Sequence, residues 1–182
     1  LNSRNNIMAI TVGTIRGNSV TKVASSGQSA AYSSTAYFMT RLTANSNPND
    51  ASSFTHRTVF NTNASINVGG FSHDGNYIYV PTNGVYIVQA NVAYNNAAAR
   101  DTPGFRFSHN KTGSYSGQVE NSLSSYIRVG SGHNQASTEL VTAYQLNAGN
   151  GIRMEFRRFG NTGTGTTIIA SYSYISIWRL GA

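Results

Sequence analysis

The amino-acid sequence predicts an all-β chain: a two-sheet sandwich or jelly roll of about ten strands, preceded by a short β arm. Three observations carry that expectation. Tyr (11) and Phe (8) dominate the large apolar residues, and Asn, Ser, Thr and Gly carry the polarity, a composition that favours strands and turns over helices. No long window holds a helical period of helix-forming residues. From residue 36 onward, short alternating runs are separated by clusters such as Asn45-Ser46-Asn47-Pro48 and Gly160-Asn161-Thr162-Gly163.

Taken in order, residues 8–23 read as two short strands around Gly17-Asn18, and Ala24 to Ser34 is a small-residue run suited to a flexible connection. This leading piece has too few large apolar residues for its own core. Residues 1–35 are therefore expected to be an arm and linker, either a simple tail or an arm that adds strands to a neighbour. Residues 36–182 are expected to form one domain with a real core. Expected strands fall at 36–43, 55–61, 65–71, 76–81, 84–95, 103–109, 115–120, 123–129, 136–146, 151–159 and 166–180. Pro81 has no N–H for a ladder and should end its strand, and Asn83-Gly84 suits a tight reversal. Beyond it Tyr86, Val88, Ala90, Val92 and Tyr94 share one face, and Val85, Ile87, Gln89, Asn91 and Ala93 the other.

The last strand is apolar on both sides. Tyr172, Tyr174, Trp178 and Leu180 fall on one face, Ile175 and Ile177 on the other. A surface strand of a solitary sandwich should have one wet face, so Tyr172, Tyr174, Ile175, Ile177 and Trp178 are expected at a contact with another subunit.

The formal net charge is +7, from 13 Lys+Arg against 6 Asp+Glu. The basic residues are scattered, with Arg157-Arg158 the only doublet, and residues 1–35 hold just Arg4, Arg16 and Lys22. A genome-packaging arm would concentrate its charge, so nucleic acid is not an expected partner. There is no cysteine, and no apolar run approaches the length of a membrane span. The chain opens at Leu1, consistent with a removed leader or with a fragment.

Catalytic and metal chemistry find little support. His56, His73, His109 and His133 lie far apart, and only a threefold axis could gather one of them into a metal site, so no metal or other cofactor is expected. Ser72-His73-Asp74 has triad composition, but adjacent residues in a strand or tight turn point apart. The six acids include no close pair, and no catalytic residue is assigned. Loops at 96–104, 109–117, 130–136 and 160–166 are rich in Asn, Ser, Gly and Thr, with Tyr115 and His133 at or near their edges. They either contact a glycan or protein, or merely join strands.

The spacing Phe60-Asn61, Phe71, Asp74-Gly75, Tyr77, Val80-Pro81 and Gly84-Val85-Tyr86-Ile87-Val88 resembles the globular head of complement first-component q subunits. That head belongs to the superfamily that includes tumour necrosis factor. Leu146-Asn147-Ala148-Gly149-Asn150 is similar to the family's leucine-x-x-glycine-aspartate turn, with Asn150 replacing the aspartate. Ser173 to Trp178 is similar to its closing strand. Val88 stands where the family has phenylalanine, and no collagen-like repeat precedes the domain. Over residues 36–182 the resemblance implies a ten-strand jelly roll assembling as a homotrimer, with its closing strand near the threefold axis. It implies Phe60, Phe71, Tyr77, Pro81, Gly84, Tyr86, Val88 and Gly149 as the core signature, and carries over no catalytic residue and no calcium site.

The function expected from this reading is a non-enzymatic, homotrimeric structural or binding protein of a virion. It would be a phage head decoration or fibre-tip knob that docks through residues 8–23, with its loops facing a host glycan, a host protein or solvent. A secreted receptor- or glycan-binding trimer is the first alternative, and a small icosahedral capsid protein with a single jelly roll the second.

Overall fold

The computed structural model describes residues 36–44, 53–56, 59–61, 63–95, 101–110, 122–128, 133–159 and 166–181, all within the unit Thr35–Ala182. The expected arm at 1–35, the expected strand at 115–120 and Tyr115 lie outside them. Among the described residues the strands are β1 (Tyr37–Arg41), β2 (Thr55–His56), β3 (Ile66–Val68), β4 (Ser72–His73), β5 (Ile78–Tyr79) and β6 (Gly84–Asn95). These are followed by β7 (Pro103–His109), β8 (Ser122–Ser124), β9 (Gln135–Leu146), β10 (Gly151–Arg158), β11 (Thr167–Ile168) and β12 (Tyr174–Gly181). A 3-10 turn, Ala170–Tyr172, joins β11 to β12.

Two antiparallel sheets result. The first runs β9–β6–β12–β1–β3, with β11 beside β6 past the end of β12. The second runs β4–β5–β10–β7–β8, with β2 also beside β10. The period-two pattern decides what each face meets. From the first sheet Phe38, Tyr86, Val88, Ala90, Val92, Tyr94, Ile175 and Ile177 point inward, and all are fully buried. From the second, Ile78, Phe105, Phe107, Ile152, Met154 and Phe156 join the same core. Aromatic contacts run through it: Phe38 to Phe71 at 5.6 Å, Phe71 to Tyr86 at 6.0 Å and Phe105 to Phe156 at 6.0 Å between ring centres. Two of the buried hydroxyls are tied locally. The Tyr86 hydroxyl donates to the Thr82 carbonyl at 2.8 Å, and Ser173 Oγ accepts from the Ala93 N–H at 2.9 Å while donating to the Ile169 carbonyl at 2.8 Å.

Several expectations need correction. Residues 81–83 do not close a hairpin: β5 belongs to the second sheet and β6 to the first, so the segment is a corner between sheets. Asn83 holds that corner, its side chain accepting from the Ala148 N–H at 2.8 Å and its carbonyl from Arg179 Nη2 at 2.7 Å. Gly84 takes a positive φ of 159° in extended backbone at this corner, and Gly149 is left-handed at φ 79°. The expected strand 166–180 is broken by the 3-10 turn, which takes Tyr172 out of the strand. In the signature set Phe60, Phe71, Gly84, Tyr86 and Val88 are buried, but Tyr77 and Pro81 are half-buried and Gly149 is exposed, serving turns and outer contacts instead.

Candidate functional site

The register of the first sheet lays its outward residues in straight rows. Val68, Tyr37, Trp178, Ile87 and Ala143 sit opposite one another across β3, β1, β12, β6 and β9, an apolar row crossing five strands. Beside it run Ile66, Met39, Ser176, Gln89 and Val141, and beyond that Arg41, Tyr174, Asn91 and Glu139. Ile66, Val68, Val141 and Leu180 are 42%, 49%, 52% and 56% exposed, Leu180 standing at the bulge that ends β12. The third row is polar: Glu139 accepts from Gln89, Arg41 donates to the Ser171 carbonyl at 3.0 Å, and Asn91 donates to the Tyr172 carbonyl at 2.8 Å. A cavity of about 350 Å³ opens at this end, lined by Asn91, Ala93, Gln135, Ser137, Ile169 and Tyr172.

The outer face of the second sheet is of another kind. Glu155, almost wholly buried, accepts from Arg106 Nε at 2.7 Å and from Arg153 Nε at 2.9 Å. Arg106 lies over the Phe54 ring at 4.0 Å, and Arg157 lies over Phe159 at 4.0 Å and Phe54 at 5.1 Å. His56, paired with Glu155 across the β2–β10 ladder, stacks flat on Tyr77 at 5.1 Å, and Tyr79 follows at 6.1 Å. Burial pushes His56 below its ordinary value and Tyr79 above its own.

The structure sorts the residues expected at a subunit contact. Tyr174 and Trp178 are half-buried on the outward side, and Tyr172 is 65% exposed beside it. Ile175 and Ile177 are wholly buried in the chain's own core and leave nothing for a partner to touch, so they are not contact residues. Ser72 is exposed and His73 turns against the edge of Phe38 at 5.1 Å, pointing apart as strand neighbours do. His133 is exposed. Among the described residues no three His, Cys, Asp or Glu side chains converge as metal ligands, and no helix is long and apolar enough to cross a membrane.

No protein-family model matches the chain, and no curated protein does. Solved structures do. Murine APRIL at pH 8.0 superposes with a TM-score of 0.57 at 14% identity, covering 80% of this chain and 99% of that one. Murine APRIL at pH 5.0 gives 0.58 at 13% identity over the same shares. Eiger TNF from S. frugiperda gives 0.54 at 16% identity, covering 81% of this chain and 92% of that one. The fold is a TNF-like jelly roll. At such identities the likeness speaks for the fold alone.

Two sets of surface residues escaped the sequence reading. Tyr37, Met39, Ile66, Val68, Ile87, Val141 and Ala143 each lie on an alternating run, but only the register shows that they align. Arg153, Glu155 and Arg157, spaced by two on one strand, were a visible sign of a charged outer face.

Proposed function

We propose that three copies of this chain pack through the outer face of the first sheet, and that the trimer is a non-enzymatic structural or binding knob. The observation carrying this reading is the apolar row from Val68 through Tyr37, Trp178 and Ile87 to Ala143. A sheet face left to water carries polar residues, and a contiguous apolar face marks an interaction site. The occupant is a second and third copy of the chain, because the closing strand at the middle of this face is the one that the complement-q resemblance sets near a threefold axis. The TNF-like fold agrees with that choice.

The finer reading is a virion component, a phage head decoration or fibre tip, attached through residues 8–23. A cysteine-free, Asn/Ser/Thr/Gly-rich β domain and the strand-forming pattern of that segment support it. Light scattering on the eluting chain tests the assembly: three times the chain mass is expected, and a monomer at micromolar concentration refutes it. The genes beside this reading frame test the setting. Capsid, portal or tail genes are expected; a secretory leader upstream would instead make it a secreted receptor- or glycan-binding trimer.

A further inference from the structure

We infer that the outer face of β10 and β7 is a binding site for a carboxylate-bearing saccharide. Among the described residues three guanidiniums, those of Arg106, Arg153 and Arg157, share this face with the Glu155 carboxylate. Of the other described acids, Asp101 is fully buried and Glu139 lies on the other sheet. Asp74 lies near enough for its charge to act on His56 and Tyr79, which leaves three cations against two carboxylates. The face therefore presents a net positive charge to an anionic partner, and guanidinium forks suit carboxylates.

The cations are also held in place before any ligand arrives. Arg106 is fixed by Glu155 and by the Phe54 ring; Arg157 is held by Phe54 and Phe159, whose rings meet edge-on at 5.8 Å. Phe159 owes its seat to Gly104, where a Cβ would come within 2.4 Å of the ring. A strand glycine that makes room for a 37% exposed phenylalanine on the outside of a sheet does not serve the core. Such preorganised groups lose little freedom on binding.

Around these cations stand the other groups a sugar acid requires. His56, Tyr77 and Tyr79 form an aromatic run on the same face for the apolar sides of pyranose rings. Ser122 and Ser124, opposite Arg106 and Gly104 in the register, bring short hydroxyls to the same surface. Fixed forks, ring faces and hydroxyls together fit a saccharide carrying carboxylates better than a purely anionic polymer, which needs charge alone. The site lies on the sheet that the proposed trimer contact does not use, so each reading can fail without the other.

The test is calorimetric titration of the full chain at physiological salt with 3′-sialyllactose and with tetragalacturonate, each against its neutral counterpart, lactose or galactotetraose. At least one acidic saccharide is expected to bind about tenfold or more tighter than its counterpart, with about tenfold weakening in Arg157→Ala and in Phe159→Ala. Arg179→Ala, which removes a charge from the other sheet, should bind as the parent does. Should Arg157→Ala not fold, Arg157→Lys retains the charge but not the fork and is expected to weaken binding as well. No preference for either acidic sugar, undiminished binding by the site variants, or tighter binding of polyglutamate or a single-stranded oligonucleotide would each overturn the inference.

Discussion

Asp substituted at Ile177 and at Trp178, adjacent residues of β12, should damage the protein in two different ways. Ile177 is wholly buried and opposes Val88 in the core, whereas Trp178 is half-buried on the outer face between Ile87 and Tyr37. Losing the isoleucine side chain alone costs about 2–5 kcal/mol. A stranded carboxylate adds to that, and the whole stability of a domain is about 5–15 kcal/mol. Ile177→Asp should therefore unfold the chain. Trp178→Asp loses cross-strand contacts worth about 1 kcal/mol to the fold. At the assembly face a central tryptophan is worth about 2 kcal/mol, or about thirtyfold in affinity. Covering the exposed half of each neighbouring aliphatic, Ile66, Val68, Val141 and Leu180, adds about 1 kcal/mol apiece. Trp178→Asp should thus yield a folded monomer. Urea unfolding combined with sedimentation velocity separates the outcomes. A Trp178→Asp variant that stays trimeric, or a folded but dissociated Ile177→Asp, would refute the assignment of the two faces.

Other consequences are more local. The Tyr94 hydroxyl is wholly buried and has no hydrogen-bond partner among the described residues, so Tyr94→Phe should be neutral or stabilising by up to about 1 kcal/mol in urea unfolding. Gly104→Ala would set a Cβ 2.5 Å from the Leu123 carbonyl oxygen as well as against Phe159, and should cost about 1–3 kcal/mol in the same measurement. His56 titrates below 6.5 in the folded chain because burial disfavours its charged form. The unfolded chain therefore takes up a proton first as pH falls through 6.5, and stability declines from there. His56→Gln should flatten that decline, read from unfolding midpoints at pH 8 and at mildly acid pH.

The long strands were legible because their alternation is strict. Residues 84–95 and 103–109 fall where β6 and β7 lie, and the inward set from Tyr86 to Tyr94 is the one that the core uses. Short strands were blurred: β2, β4 and β5 hold two residues each and owe their place to ladder partners rather than to a pattern of their own. The corner at Pro81–Asn83 looked like a hairpin because the same residue types turn a chain between sheets as within one. Apolar residues on both sides of the final strand were visible, but not which side faced the core. The companion strands β1, β6 and β9 settle that by presenting their own core residues on the side of Ile175 and Ile177. The guanidinium–aromatic face was hidden for a similar reason, since Phe54, Arg106 and Phe159 are far apart in sequence.

Trp178 is the chain's single tryptophan and stands in the middle of the apolar row, so its fluorescence reports on the assembly face directly. Emission and acrylamide quenching followed through a dilution series, with mass from sedimentation equilibrium on the same samples, test the central claim. A trimer with a blue-shifted, protected tryptophan is expected, becoming red-shifted and quenchable as the mass falls to that of one chain. A stable monomer at every concentration, with Trp178 open to quencher throughout, would contradict it.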